Sequence, residues 1–197
     1  MNKAIEFYFD FVSPYSYLAH KRIHKIEKEK NIKFDYKPIL LGGLHNLIDI
    51  TAPAFINQKA KYLIKDCKMV AKKFNIKFTF NSMFPINSLN LMRGLLSINS
   101  NKKEIYIDNF YNAYWQDDLN LNEEKVIFSI LKKCKMSKSD FQKKIKDQKI
   151  KDKLKKLTNN AYKKDIFGAP TFVVNNKMFW GQDRLEYALE ELYTNEN

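Results

Sequence analysis

The strongest constraint on this chain is the position of its strand signals, which lie near its two ends with a helical block between them. Residues 4–12 alternate, with Ile5, Phe7, Phe9 and Phe11 on one face and Glu6, Tyr8 and Asp10 on the other, the period of two that marks a strand. Towards the far end, Thr171-Phe172-Val173-Val174 is an apolar, β-branched run. Asn175-Asn176 is turn chemistry, and Lys177–Trp180 reads as the partner strand. From Pro53 to about Lys164 the spacing is helical almost throughout. The chain therefore reads as strand–helix–strand, a long helical block, then strand–strand–helix: an α/β unit interrupted by helices.

Local signals sharpen the layout. Ser13 is a good N-cap and Pro14 suits the first helical position. Tyr15, Leu18, Ala19, Arg22, Ile23 and Ile26 then keep helical spacing to about Glu29. A second strand follows at Lys33–Lys37, and Gly42-Gly43 reads as a turn with His45 on the loop after it. In the block, Ala60, Leu63, Ile64, Cys67, Val70 and Ala71 form one apolar face. Further helices are predicted around 86–99, 102–116, 123–133, 138–148 and 150–164. The lysine-rich run Lys143–Lys156 is a solvated helix face around Ile145, Ile150 and Leu154. A last helix is predicted over Asp183–Tyr193, with Asp183 as its N-cap and Leu185, Ala188, Leu189 and Leu192 inward.

Composition narrows the class. At 197 residues the chain fits one domain, or one domain carrying a large insertion. With 45% hydrophobic and 14% aromatic residues it can bury enough apolar surface to fold. The formal charge is +13, yet all but Arg22, Arg93 and Arg184 of the 35 basic residues are lysine. A nucleic-acid reader concentrates arginine for bidentate contacts, so no nucleic-acid partner is expected. The charge can still steer an anionic substrate. Cys67 and Cys134 form no CxxC and no metal-ligand spacing, and read as buried free thiols. No metal ligand is assigned. Met1-Asn2-Lys3-Ala4 runs straight into the first strand pattern, without an apolar leader. The uncharged stretch Phe78 to Met92 is broken by Pro85 and polar residues. A soluble, cytoplasmic protein with no membrane partner is expected.

The order strand, Ser13-Pro14-Tyr15-Ser16, helix, helical block, Gly168-Ala169-Pro170, hairpin, helix resembles the thioredoxin fold with an inserted helical domain. Within that group the chain resembles the 2-hydroxychromene-2-carboxylate isomerase and kappa-class glutathione transferase family, relatives of the DsbA oxidoreductases. Five segments carry the resemblance, in the right order: Phe7–Leu18, Leu40–Leu44, Phe84–Leu89, Gly168–Thr171 and Phe179–Leu185. It implies a discontinuous thioredoxin-like domain (1–52 and 165–197), a helical insertion (53–164), and an active site in the cleft between them.

The residues themselves say what such a site lacks. Thiol–disulfide enzymes of this fold place CxxC at the strand-to-helix turn; here both positions are serine, Ser13 and Ser16. Disulfide exchange needs a thiolate, so the thiol must come from outside, and glutathione is what the resemblance implies. A helix N-terminus stabilises an anion by about 0.3–2 kcal/mol, enough to lower a thiol pKa by up to roughly one unit. A hydroxyl hydrogen bond to sulfur adds to that. Ser13 is thus the catalytic candidate, as the donor that holds a thiolate. His20 lies seven residues on, about 10 Å along a helix, too far for a Ser–His pair.

Further roles come from the resemblance. It implies that Pro170 is cis beside the reactive thiol and that the Ala169 backbone pairs with the cysteinyl unit of glutathione. Trp180-Gly181-Gln182-Asp183 opens the last helix and joins the glutathione site, with Gln182 and Asp183 holding the γ-glutamyl end and Lys59 meeting the glycyl carboxylate. Kappa-class relatives often carry Asn shortly before the proline matching Pro53; here Ile50 falls at that place, so either Thr51 substitutes or glutathione is held less tightly. His45, Thr51, Phe84 and Asn87 are placed on the substrate side, Phe84 as pocket wall and Asn87 as helix cap. The implied function is glutathione-dependent isomerisation of a small aromatic or conjugated substrate. The alternatives are kappa-class conjugation to electrophiles and a cysteine-less, DsbA-like peptide-binding scaffold. Relatives are often dimers, and the sequence leaves the oligomeric state, a homodimer included, open.

Overall fold

The two ends of the chain meet in one sheet. The computed structural model describes residues 4–194; the leaderless reading of Met1–Lys3 lies outside them. Strands β1 (Ala4–Phe9) and β2 (Lys33–Pro38) come from the first end, and β3 (Thr171–Val174) and β4 (Lys177–Trp180) from the last. Their order is β2-β1-β3-β4. The β1–β2 pair is parallel, with Phe7 opposite Tyr36; β3 runs antiparallel to both neighbours, with Phe172 opposite Phe7 and Phe179. Parallel strands need a crossover, and α1 (Pro14–Lys30) supplies it. Then follow α2 (Leu41–Leu47), α3 (Asn57–Lys73), α4 (Leu89–Leu96), α5 (Lys103–Trp115), α6 (Glu124–Lys133), α7 (Lys138–Lys146) and α8 (Gln148–Tyr162), with α9 (Leu185–Tyr193) after the hairpin. Asn175 and Asn176 turn the hairpin at φ of 50° and 60°, as a type I′ turn requires.

The inward face of the first segment carries the packing. Ile5, Phe7, Phe9 and Phe11 are fully buried, as their alternation predicts. Phe9 and Phe11 meet Tyr111 of α5 with ring centroids 6.2 and 5.0 Å apart. One apolar core therefore runs from the sheet into the helical block. Glycine matters where helices close on each other: a Cβ on Gly94 of α4 would fall 2.5 Å from the Phe141 ring of α7.

Four local expectations are corrected. The first strand stops at Phe9 because the Asp10 carboxylate accepts from the Val12 N–H at 3.1 Å and the Leu41 N–H at 2.8 Å, pulling the chain into a turn. The same bond starts α2 at Leu41, so Gly42 and Gly43 are helical and His45 sits on a helix rather than a loop. A tertiary anchor here outweighs the low helix propensity of glycine. The segment 74–88 is not helical; Phe78, Phe80 and Phe84 pack around Trp115 instead. Finally, α9 begins at Leu185 after a 3-10 turn, Gln182–Arg184, and the Asp183 side chain does not cap it. Among the described residues, no helix is long and apolar enough to cross a membrane.

Candidate active site at the N-terminus of helix α1

Ser13 has extended backbone, φ −85° and ψ 114°, and Pro14 occupies the first position of α1. Its Oγ accepts from the Ser16 N–H at 3.1 Å, capping the helix. The same hydroxyl donates to the Ala169 carbonyl at 3.0 Å, joining residues from opposite ends of the chain. Ser13 is buried. The Ala169–Pro170 peptide is cis, and the Pro170 carbonyl accepts from Gly181 N–H at 2.9 Å.

The turn ahead of Ser13 is held from several sides. The Asp10 carbonyl accepts from Ser13 N–H at 3.1 Å and from the Tyr111 hydroxyl at 3.2 Å. The Phe11 carbonyl accepts from Trp115 Nε1–H at 2.9 Å. The Asp10 carboxylate, fully buried, joins β1 to the first residue of α2 and also meets the Ser88 hydroxyl ahead of α4. Burial pushes its pKa up, against the hydrogen bonds from Ser88, Leu41, Val12 and Phe11.

On the other side, Trp180 is half exposed and its indole lies over Gly168, where a Cβ would fall 2.5 Å from Nε1. Gly181 takes φ 110°, and a Cβ there would collide with the Asp183 carboxylate. Arg22 of α1 fixes this turn from within: it donates to the Gln182 carbonyl at 2.7 Å and to Gln182 Oε1 at 3.1 Å, and pairs with Glu186.

Residues 4–193 match the family model of the DSBA-like thioredoxin domain. The chain belongs to that family. It is 24% identical to a 2-hydroxychromene-2-carboxylate isomerase of Sphingobium xenophagum, over 95% of this chain and 96% of the relative. It is 27% identical to glutathione S-transferase kappa 1 of Rattus norvegicus, over 93% of this chain and 88% of the relative. A solved 2-hydroxychromene-2-carboxylate isomerase superposes with a TM-score of 0.87 at 26% identity, covering 98% of this chain and 97% of that one. The resemblance read from five short segments thus extends along the whole chain, and these relatives are named as enzymes.

Within this DSBA-like domain, hydrogen bonds bring Ser13, Ala169, Pro170 and Gly181 together, with Trp180 beside them. Asp183 is exposed and pairs with Arg184 at 2.8 Å. Gln182 is buried, its side-chain oxygen already held by Arg22. The remaining expected residues stand outside this bonded set. Lys59 and Thr51 are exposed, Lys59 on the first turn of α3. His45 is half-buried on α2, and burial lowers its pKa. Phe84 packs against Phe80 and Trp115, before a cis bond to Pro85. Asn87 accepts from Leu89 N–H at 3.1 Å, an Asx turn ahead of α4, whose N-cap is Ser88 without a side-chain bond, so Asn87 is not the helix cap expected of it.

A cleft of about 390 Å³ does separate α2 from the helical block, but Leu40, Gly43, Leu89, Arg93, Leu154 and Thr158 line it, and Ser13 does not. Sequence reasoning passed over Asp10 and Arg22. Asp10 shows in sequence only as a polar position of a strand, and Arg22 only as a helix residue. Their partners lie 31 and 160 residues away.

Proposed function

We propose that the chain is a glutathione-dependent isomerase of the 2-hydroxychromene-2-carboxylate isomerase kind. The observation that carries this reading is the Ser13 hydroxyl, poised at the start of a 17-residue helix and bonded to the residue before cis-Pro170. A buried hydroxyl that donates to a carbonyl can turn to donate to a sulfur anion in the same place. The helix dipole favours the charge, and the pinned Asp10–Val12 turn keeps the donor oriented.

The residues fit glutathione. Ser13 would hold the sulfur and the Ala169 backbone the cysteinyl unit. The exposed Asp183 carboxylate would meet the ammonium, with Trp180 and Gly181 beside it. Gln182 has its oxygen committed to Arg22, so its amide nitrogen is what it offers. Lys59 would meet the glycyl carboxylate from α3, and His45, Thr51, Phe84 and Asn87 belong to the substrate side. When bound, glutathione supplies a thiolate that adds reversibly to a conjugated carbon, turning a double bond into a rotatable single bond until elimination restores it.

The kappa-class relative supports a second reading, conjugation of glutathione to an electrophile. Product analysis separates the two: glutathione is recovered after isomerisation and consumed as a thioether after conjugation.

The test is a glutathione titration that follows thiolate absorbance against pH. The bound thiol should ionise well below the free value of about 8.5, and Ser13→Ala, which removes the hydroxyl hydrogen bond and leaves the helix dipole, should raise it by about one to two units. Ser13→Thr, which keeps the hydroxyl, should restore it. Failure to bind glutathione would overturn the proposal and favour a peptide-binding scaffold.

A further inference from the structure

About two turns below Ser13, α1 carries a polar cluster that the site above does not use. His20 and His24 lie four residues apart on one face of α1, and Glu104 and Asp108 lie four apart on the facing α5. Both imidazoles aim Nε2 at one oxygen: Asp108 Oδ1 is 2.9 Å from His20 Nε2 and 3.6 Å from His24 Nε2. The donor atoms of the three residues all lie within 4.8 Å of one another. A tetrahedral zinc ion, with bonds of about 2.0–2.1 Å, sets its donors roughly 3.3 Å apart. The two measured edges bracket that value.

One of the two other ring nitrogens has the hydrogen-bond partner that a metal-bound histidine requires, and the second lies near an acceptor. An imidazole that binds through Nε2 turns Nδ1–H towards an oxygen acceptor. His20 Nδ1 is 2.7 Å from the Tyr36 hydroxyl, and His24 Nδ1 is 3.6 Å from the Glu104 carboxylate. His20 is 1% exposed.

A hydrogen-bonded chain from Tyr36 through His20 to Asp108 would by itself satisfy His20. It leaves His24 Nε2, a buried atom with no hydrogen-bond partner among the described residues, unexplained. A cation between the two rings and Asp108 would satisfy that nitrogen. We propose that His20, His24 and Asp108 bind a divalent transition-metal ion of the zinc class, with Tyr36 and Glu104 orienting the two imidazoles. Lys21 Nζ, 3.6 Å from Asp108 Oδ1, is the competing cation and swings out to solvent when the ion enters. The site lies about 10 Å along the helix axis from Ser13 and clamps α1 to α5. Its role is structural bracing of the crossover helix against the helical block, and it does not rest on the glutathione reading.

The test uses full-length protein stripped with a chelator, then titrated with Co²⁺ and with Zn²⁺. Stoichiometric binding with the visible spectrum of tetrahedral, nitrogen- and oxygen-ligated cobalt is expected, together with a rise in Tm on adding zinc. His24→Gln, at a partly exposed position, should fold as wild type by circular dichroism and lose the spectrum. Tyr36→Phe should weaken binding roughly 10–100-fold, as loss of an orienting partner does. Absence of stoichiometric binding to the stripped wild type, or equal binding by His24→Gln, would overturn the proposal.

Discussion

Helix α1 carries two polar sites of opposite construction. At its N-terminus the Ser13 hydroxyl is fully used, accepting from Ser16 N–H and donating to Ala169. That set is closed, and turning one O–H opens it. Lower down, His20, His24 and Lys21 crowd one carboxylate oxygen while His24 Nε2 has no hydrogen bond among the described residues. That set has donors to spare and one orphan. The first arrangement suits a ligand that replaces an internal acceptor for the length of a reaction. The second suits a ligand that stays. On the two proposals together, a single helix would hold an anion transiently at its positive end, which the helix dipole favours, and a cation on its flank.

The largest expected effect tests whether the upper site is catalytic or only a cap. Ser13→Ala should lower kcat/KM about 10²–10³-fold, the loss typical of one oriented donor to a developing anion. The same change should cost only about 1 kcal/mol of stability, the usual loss for an N-cap serine. Steady-state kinetics beside urea unfolding read both numbers. Zinc affinity should not change in this variant; if it falls, the two levels of α1 are coupled and the contrast between them is lost.

The next effect bears on what holds the upper site still. Asp10→Ala leaves the Val12 and Leu41 N–H groups and the Ser88 hydroxyl without their buried acceptor. About 1–3 kcal/mol of stability should be lost, measured by urea unfolding. Glutathione affinity should fall with it, because the turn that aims Ser13 is no longer tied to α2. A change under about 0.5 kcal/mol, the range of an ordinary surface substitution, would show that Asp10 is not the anchor.

What was legible in the sequence follows the same division. Ser13, Pro14 and the alternating aromatics of β1 announce themselves because cap, first turn and strand are local properties. The hairpin at Asn175-Asn176 is equally local. Ala169 and Pro170 were placed through the resemblance, since nothing in their own neighbourhood points to Ser13. The helical character of Leu41–Leu47 was hidden by Gly42 and Gly43 and is imposed by a carboxylate 31 residues upstream. Asp183 looked like a cap, yet the chain inserts a 3-10 turn there because Arg22 pins the Gln182 carbonyl. The His20–His24–Asp108 cluster is the extreme case. Its histidines have helical spacing, but their carboxylate lies on α5, 88 residues beyond His20.

The smallest expected effect is a null result with consequences for both levels. An external thiol is needed at Ser13 only if the chain has no reactive thiol of its own. Cys67 and Cys134 are both free and buried. Burial pushes the Cys67 thiol far up and Cys134 up to about 11. With that value, only about one Cys134 in a thousand is thiolate at pH 8, and the thiolate is the reactive form. Native protein should therefore give no rapid reaction with a disulfide reagent at pH 8, while denatured protein should react at both cysteines. Cys134 should become reactive first as pH climbs towards 11, because its thiol is the less strongly raised. A fast-reacting thiol in the native state at pH 8 would mean that the chain carries its own sulfur nucleophile. The serines at positions 13 and 16 would then no longer require a borrowed one.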